Sequence, residues 1–445
     1  MQDFSAFVSW PSAPLTNSLV SKALDRLSTP PKLVDSPQGH TRLLQWSTYD
    51  DIDHDLTHSE AGVLASSYTI RKALIRKHYL ARCIHAYTTK HTTSKLVRSV
   101  PRSWDIEISF ADELEDMWTD ELWDLAQNMA PERWWILKPG MADRGMGIRL
   151  FNSQDDLQRI FEEFEGDSDE EDDEGEGATA VVTSQLRHFV IQEYIPNPLL
   201  MDPNDIPLQP LSGSDNGKSR QGHKFHLRAY CVASGALTVY LYTRILALFS
   251  AVPYTTPTPQ DGKHGADIDL TPHLTNTSLQ AHRGEEGVRL LDELAGHRVY
   301  STPSRDDGVT TTLKEEDIAD IKDQISAILG ETFKAAQATP IHFQALPNAF
   351  ELFGIDFLVS DNSGSVSSES PDDQSKFQVH LLEVNSEPAI ELTGPRLHWI
   401  LEDLFVSIGK VCVEPFFGDH SVEDWNLNET RFYLRKCLDV EQMYR

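Results

Sequence analysis

The 445-residue chain predicts an α+β protein of two or three domains. Apolar runs come in hairpin-like pairs, helical stretches stand apart from them instead of alternating with single strands, and 40% hydrophobic residues suffice for a large core. No internal repeat is visible.

The elements follow in order. SSYTIRKALIRKHYLARCIHAY, residues 66–87, places Ile70, Leu74, Ile75, Tyr79 and Ile84 at helical spacings behind Ser67 as a cap, and reads as one helix. ADELEDMWTDELWDLAQNMA, 111–130, reads as a second, acidic amphipathic helix with Leu114, Met117, Trp118, Leu122 and Leu125 as its buried stripe. RWWILKPGMADRGMGIRLF, 133–151, is a strand, a glycine-rich loop and a strand, and HFVIQEYIPNPLL, 188–200, is a strand ending at proline. KFHLRAYCVASGALTVYLYTRILALFS, 224–250, alternates as two antiparallel strands around Ser234-Gly235. Residues 315–338 form a long helix, and FELFGIDFLV, 350–359, a buried strand. FQVHLLEVNSEPAI, 377–390, is a strand whose apolar residues Val379, Leu381 and Leu382 meet a charge, Glu383, where the strand should still be covered.

Three segments are too polar to pack. Residues 165–177, EGDSDEEDDEGEG, hold nine acidic side chains and read as a disordered insertion; residues 201–222 and 360–376 are turn-rich loops separating strands that belong together. The formal charge of −30 opposes general nucleic-acid binding, and without the acidic insertion it is still about −21. Against this field, residues 61–104 contain no Asp or Glu, while Arg71, Lys72, Arg76, Lys77, Arg82, Lys90, Lys95, Arg98 and Arg102 make a cationic island. Such an island is either a solvated helix face or a dock for phosphate or an acidic peptide. No run approaches the length of a membrane span, and the start MQDFSAFVSWPSAPL lacks signal-peptide features, which points to cytosol or nucleus, the cytoplasm being the expected location. Cys83, Cys231, Cys412 and Cys437 lie far apart and read as reduced core residues.

Candidate chemistry gathers at strand ends. Lys138 closes WWILK ahead of Pro-Gly, and Arg144-Gly-Met-Gly follows, a lysine and a glycine loop suited to phosphate oxygens but unlike the Walker or Rossmann patterns. Lys224 and Arg228 share one face of KFHLR, opposite Phe225 and Leu227. Asp356 sits inside an apolar strand and needs solvent or a cation. With Glu383 and Asn385, at i and i+2 on their strand, it offers three oxygen donors to one hard cation, for which Mg2+ carried on nucleotide phosphates is the natural candidate.

The order ILKP, RGMGI, VIQEYI, KFHLR, HLTN, GIDF and LLEVNSEP, from about Arg76 to Arg396, resembles the tubulin-tyrosine ligase family of ATP-grasp enzymes. GIDF paired with LLEVNSEP is its most specific part. The resemblance implies an ATP-grasp fold with an N-terminal domain (1–70), a central domain (71–192) and a C-terminal domain (193–445), ATP lying between the last two. It implies Asp356, Glu383 and Asn385 as magnesium ligands and Lys138, Lys224 and Arg228 as the catalytic clamps on phosphate. Gln192, Glu193, Tyr194 and Ile195 would form the adenine hinge, with Arg144, His226, Thr275 and Asn276 also on the nucleotide.

The implied activity is ATP-dependent ligation of an amino acid, tyrosine first, to an acidic protein tail such as that of tubulin; glutamylation and glycylation share the same core. The opening FVSWPSAPLTNSLVSKAL is closer to the P-body-associated branch, which implies mRNA-decapping proteins as partners. Two positions depart from the family. His226 stands where the family's K-x-D-x-R has aspartate, and the arginine that holds the acceptor is absent after the next strand, Arg244 being its displaced substitute.

Overall fold

The computed structural model describes residues 3–130, 132–141, 145–166, 187–206, 221–258, 268–275, 285–300, 311–362, 375–418 and 425–440. Arg144, Asn276 and most of the acidic insertion and of the two polar loops lie outside them. Among the described residues, four sheets, one of them only the two-stranded pair Arg298–Val299 and Thr311–Thr312, and the helices against them make up an α+β protein.

The largest sheet is antiparallel and nine-stranded, and its centre sets the site. Strand His223–Ser234 pairs on one side with Phe350–Asp361, which in turn pairs with Phe377–Ser386. The segment 224–250 holds three strands instead of the expected two: Thr238–Tyr242 turns back on the first, and Leu246–Phe249 returns to pair with its beginning, Leu246 opposite Arg228. One face of this sheet buries Phe225, Leu227, Ala229 and Cys231 against the helix Glu315–Gln337, whose stripe Ile318, Ile321, Ile325, Ile328 and Leu329 is fully buried. That helix starts where its sequence says it should. Glu315, Glu316 and Asp317 lie at the positive end of the helix dipole, and Asp317 accepts the Lys314 N–H at 2.8 Å.

The smaller antiparallel sheet orders Ser103–Glu107, His188–Glu193, Trp135–Pro139 and Arg149–Phe151, backed by helix Gln154–Gly166. An N-terminal sheet, which the hairpin pattern does not announce, is wholly parallel: Lys32–Val34, Ser5–Ser9, Leu43–Ser47 and Val63–Ala65. Its helix Pro14–Asp25 packs on helix His398–Ile408, joining it to the other face of the large sheet.

Two expected helices are shorter than their periodicity. Residues 66–87 do not form one helix capped by Ser67; helix begins at Lys72, breaks at the extended backbone of Arg76, and resumes as Lys77–Lys90. Tertiary anchoring overrides propensity here. Arg71 pairs with buried Glu351, whose Oε2 also accepts the Tyr68 N–H at 3.1 Å, and this holds the lead-in chain extended. Residues 111–130 split into Glu113–Met117 and Trp123–Asn128, the break stabilised by Leu122 N–H bonding Met117 O at 2.8 Å. Leu114, Leu122 and Leu125 are buried as expected, whereas Met117 and Trp118 reach the core only in part. All four cysteines are buried and unbridged, and no helix among the described residues is long and apolar enough to cross a membrane.

Candidate nucleotide site

Three adjacent strands assemble the acidic half of the site. Alternation along His223–Ser234 turns Lys224, His226 and Arg228 away from the Phe225–Leu227 face. Antiparallel register then sets Arg228 opposite Asp356 and Asp356 opposite Glu383. A bulge between Asp356 and Phe357 skips Leu382, so Leu381 and Val384 stay in the core while Leu382 and Glu383 are both half-buried on the other side. Leu382 is therefore not the core residue its apolar run suggests. The bulge brings Glu383 beside Asn385, whose Nδ2 donates to Glu383 Oε1 at 3.2 Å and lies 3.5 Å from Asp356 Oδ2.

Asp356 finds its cation in the protein. Its two carboxylate oxygens accept from Arg228, Nε to Oδ1 and Nη2 to Oδ2, the latter at 2.9 Å. Burial would raise the Glu383 carboxyl, but the Lys77 and Lys138 ammonium groups and the Asn385 hydrogen bond outweigh it and hold it well below the usual carboxylate range. Lys77 Nζ is 3.6 Å from Glu383 Oε2.

The basic half is shared between sheets. Lys138, from the small sheet, donates to Gln192 Oε1 at 2.7 Å, and Gln192 donates on to Ser103 Oγ at 3.2 Å. Lys224, from the large sheet, lies over the Tyr194 ring at 4.6 Å, and Tyr194 OH meets His273 Nδ1 at 2.9 Å. Burial lowers Lys138 to about 8, and burial together with the nearby Lys138 charge lowers Lys224 to about 7. His226 bonds Thr275 Oγ1 through Nδ1 at 2.6 Å, and burial lowers its pKa despite the neighbouring Asp356.

Beside the basic half lies a small cleft, with Lys138, Gln192 and Val190 on one wall, Leu381 and Leu382 on another, and Lys77, Leu80 and Ile84 of the helix Lys77–Lys90 closing it. Of the expected hinge, Gln192 lines the cleft. Glu193 pairs with Arg102 at 3.2 Å, Tyr194 is buried towards Lys224, and Ile195 is half-buried at the strand's end.

Among the described residues, at least four of the nine cations of the island are paired within the protein. Arg71 pairs with Glu351, Lys77 with Glu383, Arg82 with Asp105 and Arg102 with Glu193, while Lys72, Lys90 and Lys95 are exposed. Lys77 belongs to the site although only its membership of that island marked it in the sequence. Arg244 is engaged elsewhere: it pairs with Asp403 and stacks 3.8 Å from the Tyr433 ring and 4.4 Å from that of Trp399.

The donor set fits a hard cation. Asp356, Glu383 and, after an amide flip, Asn385 present oxygens to one point. Among the described residues no three His, Cys, Asp or Glu side chains stand close enough to hold a metal by themselves, so an ion here would be held jointly with phosphate oxygens.

Two antiparallel sheets closing on a cleft, cations from both and carboxylates from one, define an ATP-grasp fold. The pattern of the tubulin-tyrosine ligase family matches residues 59–419, and the chain belongs to that family. It is 37% identical over 393 residues to a probable tubulin–tyrosine ligase of Schizosaccharomyces pombe, covering 84% of this chain and 83% of that protein. It is 34% identical over 428 residues to the probable tubulin–tyrosine ligase PBY1 of Saccharomyces cerevisiae, covering 92% of this chain and spanning about half, 51%, of that protein. Among solved structures, the C-terminal domain of K. lactis Pby1, described as an ATP-grasp enzyme interacting with the mRNA decapping enzyme Dcp2, superposes with a TM-score of 0.62 at 29% identity, covering 98% of this chain and 99% of that one.

Proposed function

We propose that the chain is an ATP-dependent carboxylate–amine ligase that adds an amino acid, tyrosine first, to an acidic protein tail such as that of tubulin. The observation that carries this reading is that Arg228, Asp356, Glu383 and Asn385 adjoin one another on neighbouring strands, within electrostatic reach of Lys138, whose charge in turn acts on Lys224.

An acceptor carboxylate oxygen attacks the γ-phosphorus of ATP, ADP leaves, and an acyl phosphate forms. The amine then attacks the acyl carbon, phosphate departs, and the amine's proton passes to solvent. Lys138 and Lys224 neutralise phosphate oxygens, and Arg228 exchanges Asp356 for the transferred phosphoryl group. Such chemistry depends on positioning and electrostatics and needs no nucleophilic side chain. Bound Mg2+ would neutralise charge on the phosphates, held by Asp356, Glu383 and Asn385. The exposed Lys72, Lys90 and Lys95 suit an acidic tail, and their removal should raise KM for a tail peptide and flatten its salt dependence.

The test is ATP turnover with Mg2+, tubulin and tyrosine, glutamate or glycine in turn, beside Glu383→Gln. Amino-acid-dependent turnover that the variant loses supports the ligase and names its substrate.

A second reading has its own support. Arg244, the substitute for an acceptor arginine, is committed to Asp403, and the solved relative is described as a partner of a decapping enzyme. In that reading the nucleotide site serves a binding module of the mRNA-decapping machinery in the cytoplasm. Nucleotide retention without amino-acid-dependent turnover, together with capture of a Dcp2-type decapping protein and not of tubulin, would favour it.

A further inference from the structure

His226 sits in the acidic half of the site with half of its bonding capacity used. Its side chain is 6% exposed, Nδ1 is engaged with Thr275 Oγ1 at 2.6 Å, and Nε2 has no hydrogen-bond partner. That nitrogen faces Asp356 Oδ1 from 3.6 Å, beyond hydrogen-bond range. A buried nitrogen left open demands a reason. Thr275 can either donate to Nδ1 or accept its proton; in the tautomer with the proton on Nδ1, Nε2 turns a lone pair towards a carboxylate that also offers lone pairs, and a cation between them satisfies both.

We propose that His226 Nε2 is a ligand of the metal ion that accompanies the nucleotide, beside Asp356, and that it makes the site select a first-row transition ion over magnesium. The inference rests on the nucleotide reading above. Two ligands about 2.1 Å from one ion sit roughly 3 to 3.5 Å apart at ordinary coordination angles, so a separation of 3.6 Å closes with a small side-chain movement. Imidazole nitrogen suits transition ions, whereas magnesium prefers oxygen and keeps its waters. The Thr275 hydroxyl sets the ring's orientation, as partners behind a metal-bound histidine do, and can accept the Nδ1 proton when Nε2 holds the ion. Arg228 releases Asp356 as the ion arrives, and the phosphates that bring the ion give Arg228 its new anion.

Mn2+, the weakest binder of the first-row series, is the stringent probe. The whole chain is loaded with Mn2+ and a non-hydrolysable ATP analogue and studied by pulsed electron paramagnetic resonance. The expected result is a nitrogen hyperfine coupling from directly bound imidazole that changes in protein grown on heavy-nitrogen histidine and vanishes in His226→Asp. In parallel, the analogue binds about tenfold more tightly with Mn2+ than with Mg2+, and the ratio falls towards one in His226→Asp. Bound Mn2+ without histidine coupling overturns this proposal and leaves the nucleotide reading intact; failure to retain the analogue with either ion overturns both. The isotope comparison uses the unsubstituted chain, so it decides the matter even if the variant fails to fold.

Discussion

Arg228 and Asp356 face each other on neighbouring antiparallel strands, joined by two hydrogen bonds in which the guanidinium occupies the place of a bound cation. The pair is little exposed, 18% and 9% at the side chains, so removing one partner strands the other. Asp356→Asn is expected to lower unfolding free energy by about 3 kcal/mol, measured by urea denaturation, and to abolish metal-dependent nucleotide retention. Replacing both, Arg228→Met with Asp356→Leu, should recover much of the stability and none of the binding. A stable, nucleotide-binding Asp356→Asn would sink the assignment.

The two buried lysines predict a pH dependence of nucleotide affinity. Lys138 titrates near 8 and Lys224 near 7 in the free protein, both lowered mainly by burial. Phosphate oxygens favour the ammonium form and raise both values on binding, so binding takes up protons. Affinity is therefore greatest below pH 7 and declines as pH rises through 7 and 8. Calorimetry in buffers of different ionisation enthalpy counts the protons, and Lys224→Arg should flatten the change near pH 7. Equal affinity across that range, with no proton uptake, would contradict the placement of these lysines on phosphate.

Much of this architecture is legible in sequence, for physical reasons. Alternation in KFHLR and the charges in GIDF and LLEVN mark strands whose polar face must meet a partner, and those faces do converge. What sequence could not supply was pairing. Nothing local says that Arg228 would take Asp356 as its partner, that Arg71 would desert a helix for Glu351, or that a bulge would carry Leu382 out of the core. The parallel N-terminal sheet escaped for a related reason, its strands being three to five residues long and separated in the chain by helix and turn.

Gly140 tests the contact between the small sheet and the helix Lys77–Lys90. Its N–H donates to His188 O at 2.7 Å, and a Cβ there would lie 2.6 Å from His78 Nδ1, whose ring stacks on His188 with centroids 4.6 Å apart. Gly140→Ala forces the helix or the sheet to move, and thermal and urea unfolding should show a loss of about 1–3 kcal/mol. Because Lys138 lies two residues upstream, nucleotide affinity should fall with stability. An unchanged melting temperature would mean that the helix yields freely.

Lys77 separates a charge at the site from a charge that merely holds the fold. Its ammonium lies 3.6 Å from Glu383 Oε2 with both side chains about a quarter exposed, so the pair contributes little to stability, under about 1 kcal/mol. At the cleft the same charge keeps Glu383 ionised and adds to the field that phosphates meet. Lys77→Met keeps the apolar stem against the cleft and removes only the ammonium. Nucleotide affinity should drop about tenfold, or about 1.4 kcal/mol, while urea unfolding changes by less than that. If the two losses are equal, Lys77 acts through the fold; if affinity is untouched, the helix Lys77–Lys90 closes the cleft without contributing to its chemistry.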